Sequence, residues 1–170
     1  MSEEKPQELI SPLGTAVKFG VAMGVLLIIY LYFTTRKTIE DNHSLDGNYN
    51  ILNLVMILVP IVLAILEHRR KFAGRPMKIT EGLGAGVITV FIGGAVAAVF
   101  LFIYYFANSD VMAALEKISL QENPGQTQNI IEAGNFKKAI LACLSFYMLT
   151  FMVGFLLSLI SSLFLFKRKA

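Results

Sequence analysis

Residues 81–107 read EGLGAGVITVFIGGAVAAVFLFIYYFA. After Glu81 the run carries no charge, and at about 1.5 Å of rise per residue it outspans a hydrocarbon layer about 30 Å thick, which predicts a membrane-spanning helix. Gly82 and Gly86 stand four apart, and Ala85, Thr89, Gly93 and Ala97 continue at fours along what reads as one line. Small residues at that spacing let another helix approach at backbone distance. Thr80 is the expected N-cap, and Glu81 falls in the first turn, where the helix dipole favours a carboxylate.

Working outward from this helix, the spacing predicts three more spans. Upstream, residues 51–67 form the shortest, with LVMILVPIVLAIL at its heart and Pro60 in the middle, where a missing N–H predicts a kink. The first span covers 12–35, with Ser11 as N-cap, Pro12 at the first helical position, and Gly20 and Gly24 as a close-packing pair. Lys18 lies inside it and can snorkel back to the entry interface. Downstream, 138–166 is charge-free after Lys138 and repeats Gly154, Ser158 and Ser162 at fours. Ser145 and Thr150 in that span are expected to bond back to carbonyls of their own helix.

The connections carry the polar residues. Between the third and fourth spans, SDVMAALEKISLQENPG has Ser109 as an expected N-cap, apolar positions at Val111, Met112, Leu115 and Ile118, and a stop at Asn123-Pro124-Gly125. That is the pattern of a short amphipathic helix over 109–122, lying on the membrane surface or across the helix ends. The fold class is therefore all-α: an integral membrane four-helix bundle in a single membrane domain, residues 1–170, with an amphipathic helix in its long outer loop. Ten of the fifteen basic residues fall on the side that holds both termini and the loop after the second span, which predicts that both termini face the cytoplasm.

Composition agrees with a membrane protein: 55% of residues are apolar and 16% charged, against roughly 25% charged in soluble domains. The net charge of +3 sits beside the spans, so it points to the bilayer and not to nucleic acid. A lone Cys143 excludes a disulfide framework within one chain. His43 and His68 fall on opposite sides and lack metal-site spacing, and no phosphate loop, dinucleotide fingerprint or nucleophile elbow is present. No catalytic residue, metal ligand or cofactor is expected. Glu67 and Glu81 flank the basic loop; Glu67 is expected to pair with Arg70 or Lys71 at helical spacing. The sharpest surface feature is that loop, in which Arg69, Arg70, Lys71, Arg75 and Lys78 are candidate contacts for anionic lipid.

KFGVAMG in the first helix, the basic loop, KITEGLGAGVITVFIGGAVAAVFLFIYYF, the amphipathic insert and FLLSLISSLFLFKRK together resemble a family of small bacterial four-helix membrane proteins catalogued as a domain of unknown function. The resemblance runs from Lys18 to Lys169. It implies a bacterial inner membrane and four spans with an outer insert, and it implies no activity and no functional residue. The expected function is that of a non-enzymatic accessory or scaffolding subunit of a larger inner-membrane complex, or of a homo-oligomer, packed through Gly20, Gly24, Gly82, Gly86, Gly93, Gly154, Ser158 and Ser162. The alternative is a passive channel or a small-solute or lipid transporter, hinted at by Asn53 and Pro60.

Overall fold

A computed structural model describes residues 11–42, 47–72, 77–122 and 134–166. Five helices follow one another: α1 (Leu13–Asp41), α2 (Gly47–Arg70), α3 (Ile79–Ala107), α4 (Ser109–Glu122) and α5 (Asn135–Phe166), with no strand among the described residues. α1, α2, α3 and α5 are long and apolar enough to cross a membrane. The protein is an all-α membrane bundle.

Several helix ends differ from expectation, each for a local reason. α1 runs past Thr35 to Asp41, because TTRKTIED holds no helix breaker and leaving the hydrocarbon does not end a helix. It stops at Asn42, whose left-handed backbone (φ 53°) is a conformation asparagine tolerates better than most residues. At its start Pro12, not Ser11, holds the cap position, although Ser11 Oγ still accepts the Leu13 N–H at 3.3 Å. α2 begins at Gly47 and runs on through Pro60 to Arg70. The α3 cap is Lys78 and not Thr80: Glu81 Oε2 reaches back to accept the Lys78 backbone N–H at 2.8 Å, the carboxylate half of a capping box. For α4, the Asn108 carbonyl accepts from Val111 and Met112, so Ser109 is already inside the helix.

α3 is the axis. It packs extensively on both α1 and α5, which do not pack on each other to a comparable extent, and α2 leans across all three. The close approaches explain this arrangement. A Cβ on Gly93 would stand 2.8 Å from the Gly20 carbonyl oxygen, and one on Gly24 2.7 Å from Val96 Cβ. On the other side, a Cβ on Gly86 would stand 2.7 Å from Ser158 Oγ, and one on Gly154 would overlap Val90. The small residues of α3 therefore form two lines: Gly82 and Gly86 continue through Val90 toward α5, while Thr89 and Gly93 face α1. The two series start three residues apart, so they lie on neighbouring ridges of the helix.

Between the helices, Met23, Leu27, Ile57, Ile61, Ile65, Val90 and Ala97 fill the interior, with Phe72 and Met77 closing the end near the α2–α3 connection. Two buried hydroxyls are tied to their own helices: Thr89 Oγ1 donates to the Ala85 carbonyl at 2.8 Å and Ser158 Oγ to the Gly154 carbonyl at 2.7 Å. Ser145, expected to do the same, instead lines a cleft beside Tyr105.

Candidate functional site

The bundle has two chemically distinct ends. At the first, where α2 stops and α3 begins, the basic residues fasten helices together. Lys18 of α1 pairs with Glu67 of α2 at 3.2 Å, across helices and not along one as expected. The lysine stem reaches toward the N-terminal end of its helix, and that direction brings its ammonium to the end of the antiparallel α2. Lys71 Nζ donates to Thr15 Oγ1 at 2.5 Å, and Arg69 Nη1 donates to the Leu165 carbonyl at 3.0 Å. The last carbonyls of a helix have no partner within it, so Arg69 closes the end of α5. Of the candidate lipid contacts, Arg69 and Lys71 are thus engaged within the bundle, Arg70 and Lys78 are exposed, and Arg75 lies outside the described residues.

His68 is fully buried at this end, edge-on to Phe72 with ring centroids 5.1 Å apart. Neither of its ring nitrogens, nor the nearby end of the α5 line at Ser162 Oγ, has a hydrogen-bond partner among the described residues. Its companion His43 lies outside the described residues. Among the described residues, no three His, Cys, Asp or Glu side chains come together as a metal site would require. Glu67 is held by Lys18 and Glu81 by the Lys78 backbone, so the two carboxylates are not a pair.

The opposite end carries α4 and a belt of aromatic rings. Tyr32 meets Phe33 and Tyr104 edge-on, and Phe136 of α5 meets Phe102 and Phe106 of α3. Rings with one apolar and one wet edge collect at membrane interfaces. α4 is fastened to α5 by Lys138, whose ammonium donates to both oxygens of Glu116 at 2.8 and 3.0 Å, with both side chains mostly buried. A cleft of about 330 Å³ opens beside this pair, lined by Tyr105, Met112, Leu115 and Leu141 among others.

A cleft of about 750 Å³ lies at this same end between the distal part of α1 and the start of α2. Ile29, Phe33, Leu52 and Met56 form its apolar part, and Arg36, Lys37, Glu40 and Asp41 its charged part. The Arg36 guanidinium rests over the Tyr32 ring, 5.6 Å from its centroid. Read as a connection, residues 36–41 offered no site. The i, i+4 spacing of Arg36 with Glu40 and of Lys37 with Asp41, in a stretch without breakers, was the available signal that α1 carries its charges on a helix.

A third, wholly apolar groove of about 380 Å³ lies between α3 and α5, with Cys143 and Tyr147 on one wall and Ala98 and Val99 on the other. The packing residues named from the sequence all meet neighbouring helices within the chain: Gly20 and Gly24 reach α3, and Gly82 and Gly86 lie against Ser162 and Ser158. No curated protein and no solved structure matches the chain. A family model does, over residues 18–167, and it is described as "Protein of unknown function (DUF4199)". With nearly its whole length matched, the chain belongs to that family.

Proposed function

We propose that this is a non-enzymatic protein of the bacterial inner membrane, both termini cytoplasmic, that works by association: an accessory or scaffolding subunit of a larger membrane complex, or a homo-oligomer. One observation carries the reading. α5 makes its closest approach to the bundle along the Gly154, Ser158 and Ser162 line, and its outer face stands clear, with Met148, Met152 and Leu156 each more than half exposed (55%, 67% and 58%). Methionine adapts to irregular surfaces better than branched side chains do, which suits a face that meets another helix. The small-residue lines, by contrast, are consumed inside the chain, so association falls to this outer face. The cytoplasmic assignment rests on the charge bias of the loops.

Native mass measurement after gentle extraction tests the proposal. A species heavier than one chain, containing copies of itself or a reproducible second subunit, supports it; a solitary monomer in every mild detergent and in native lipid rejects it.

The alternative, a passive channel or a small-solute or lipid transporter, draws on Asn53, whose Oδ1 is buried without a hydrogen-bond partner among the described residues, two turns before Pro60 on α2. The apolar filling between Met23, Leu27, Ile57 and Ile61 argues against a polar path through one copy. Solute or lipid flux from proteoliposomes would favour the alternative, and its absence would remove it.

A further inference from the structure

We infer that the cleft between the distal part of α1 and the start of α2 binds one membrane phospholipid whose headgroup carries a phosphate and a primary amine. This goes beyond the association proposed above and is independent of it. Its volume, about 750 Å³, lies within the range of small-molecule sites, roughly 300–1,000 Å³. Its α1 wall joins apolar, aromatic and charged side chains. Ile29, Phe33 and Leu52 are apolar and 47%, 65% and 46% exposed, a flank for acyl chains. Tyr30 and Tyr32 lie among these apolar positions and supply the amphipathic rings that suit a membrane interface. Arg36 and Lys37 come next, and Glu40 and Asp41 one turn beyond them.

The position of Arg36 separates this reading from a merely solvated helix end. At i, i+4 spacing Arg36 and Glu40 are placed to pair along the helix. They do not: the Arg36 guanidinium turns the other way, down over the Tyr32 ring, 5.6 Å from its centroid. Among the described residues, neither Arg36, Glu40 nor Asp41 forms an ion pair. This cation–π contact holds the guanidinium beside Tyr32, and its fork of N–H donors matches two phosphate oxygens. The two carboxylates a turn further out are placed for an ammonium and would repel a second anion. A headgroup with one phosphate and one N–H-bearing cation satisfies both sets. A quaternary amine offers no N–H to donate, and a purely anionic headgroup leaves Glu40 and Asp41 unmatched.

The test uses the full chain in nanodiscs of equal phosphatidylethanolamine, phosphatidylcholine and phosphatidylglycerol, with retained lipid identified by native mass spectrometry. The expected result is one phosphatidylethanolamine retained in preference to the other two. Arg36→Ala should reduce that retention about tenfold, the effect of one lost charge-assisted contact. Glu40→Gln with Asp41→Asn should abolish the preference for phosphatidylethanolamine over phosphatidylglycerol while a lipid is still retained. Lys117→Ala, which removes an exposed cation of α4 that does not line the cleft, should change nothing. Unchanged thermal unfolding of each variant shows that the helices are intact. Equal retention of the three lipids, retention unaffected by Arg36→Ala, or a preference unaffected by the double carboxylate change would each overturn the inference.

Discussion

Helices α3 and α5 are nearly equal in mean hydropathy, 2.6 and 2.3 over their most apolar windows, yet one is the axis of the bundle and the other lies at its edge. The difference is in side-chain size. α3 contains five glycines and uses them on two faces, against α1 and against α5, whereas α5 has the single Gly154 and makes its closest approach along that one line. In lipid, apolarity gives a helix no reason to prefer protein over acyl chains, and close van der Waals approach decides instead. Large residues on α5 therefore face outward without penalty, and the glycines of α3 draw two helices inward.

Substitutions that erase this difference should have the largest effect. Gly93→Leu or Gly86→Leu would force α1 or α5 off the axis, costing about 3 kcal/mol or preventing folding outright. Val99→Leu on the lipid-facing side should stay within about 0.5 kcal/mol. Val99 is 60% exposed. Equilibrium unfolding in mixed micelles measures both, and similar losses at Val99 and Gly93 would mean that small-residue packing does not organise the bundle.

The next effect concerns the ends. Arg69→Ala removes the donor that closes α5 onto the end of α2, and a loss of about 1.5–3 kcal/mol is expected for a hydrogen bond from a charged group. Faster amide exchange near Leu165 should accompany it. His68 gives the opposite sign. It is buried with both ring nitrogens unpartnered among the described residues, so His68→Phe replaces an unmet polar group by an apolar ring and should stabilise by about 1 kcal/mol. A loss of stability would show that the ring nitrogens are bound to something essential.

The smallest effect belongs to the Lys18–Glu67 pair. The lysine side chain is 65% exposed, and exposed pairs contribute little, so Lys18→Met should change stability by less than about 1 kcal/mol. A larger loss would make the pair a main tie between α1 and α2.

Much of the architecture could be read from residue order. The four spans follow from charge-free length, and α4 over 109–122 from the apolar spacing at Val111, Met112, Leu115 and Ile118 with its Asn-Pro-Gly stop. Which ridge of α3 meets which helix could not, because a four-residue spacing marks a small-residue line without naming the helix opposite. Two ridges three residues apart look like one in the sequence. The ends of α1 were hidden for a related reason: polar residues such as Arg36 to Asp41 signal water, and helices continue in water when nothing breaks them. Glu67 shows the limit of local reasoning, since its helical neighbours Arg70 and Lys71 were available but Lys18, distant in sequence, lies against it. The large cleft was illegible because its two walls come from different helices and its charged rim was read as a connection.

The association proposed for α5 can be tested most directly by native mass spectrometry of the chain released from its own membrane, beside a variant carrying Met148→Ala, Met152→Ala and Leu156→Ala. These side chains are more than half exposed, so thermal unfolding of the isolated chain should be little changed. The account predicts an assembly heavier than one chain for the unaltered protein and a collapse to the monomer for the variant. A monomer in both cases, or the same assembly in both, would contradict it.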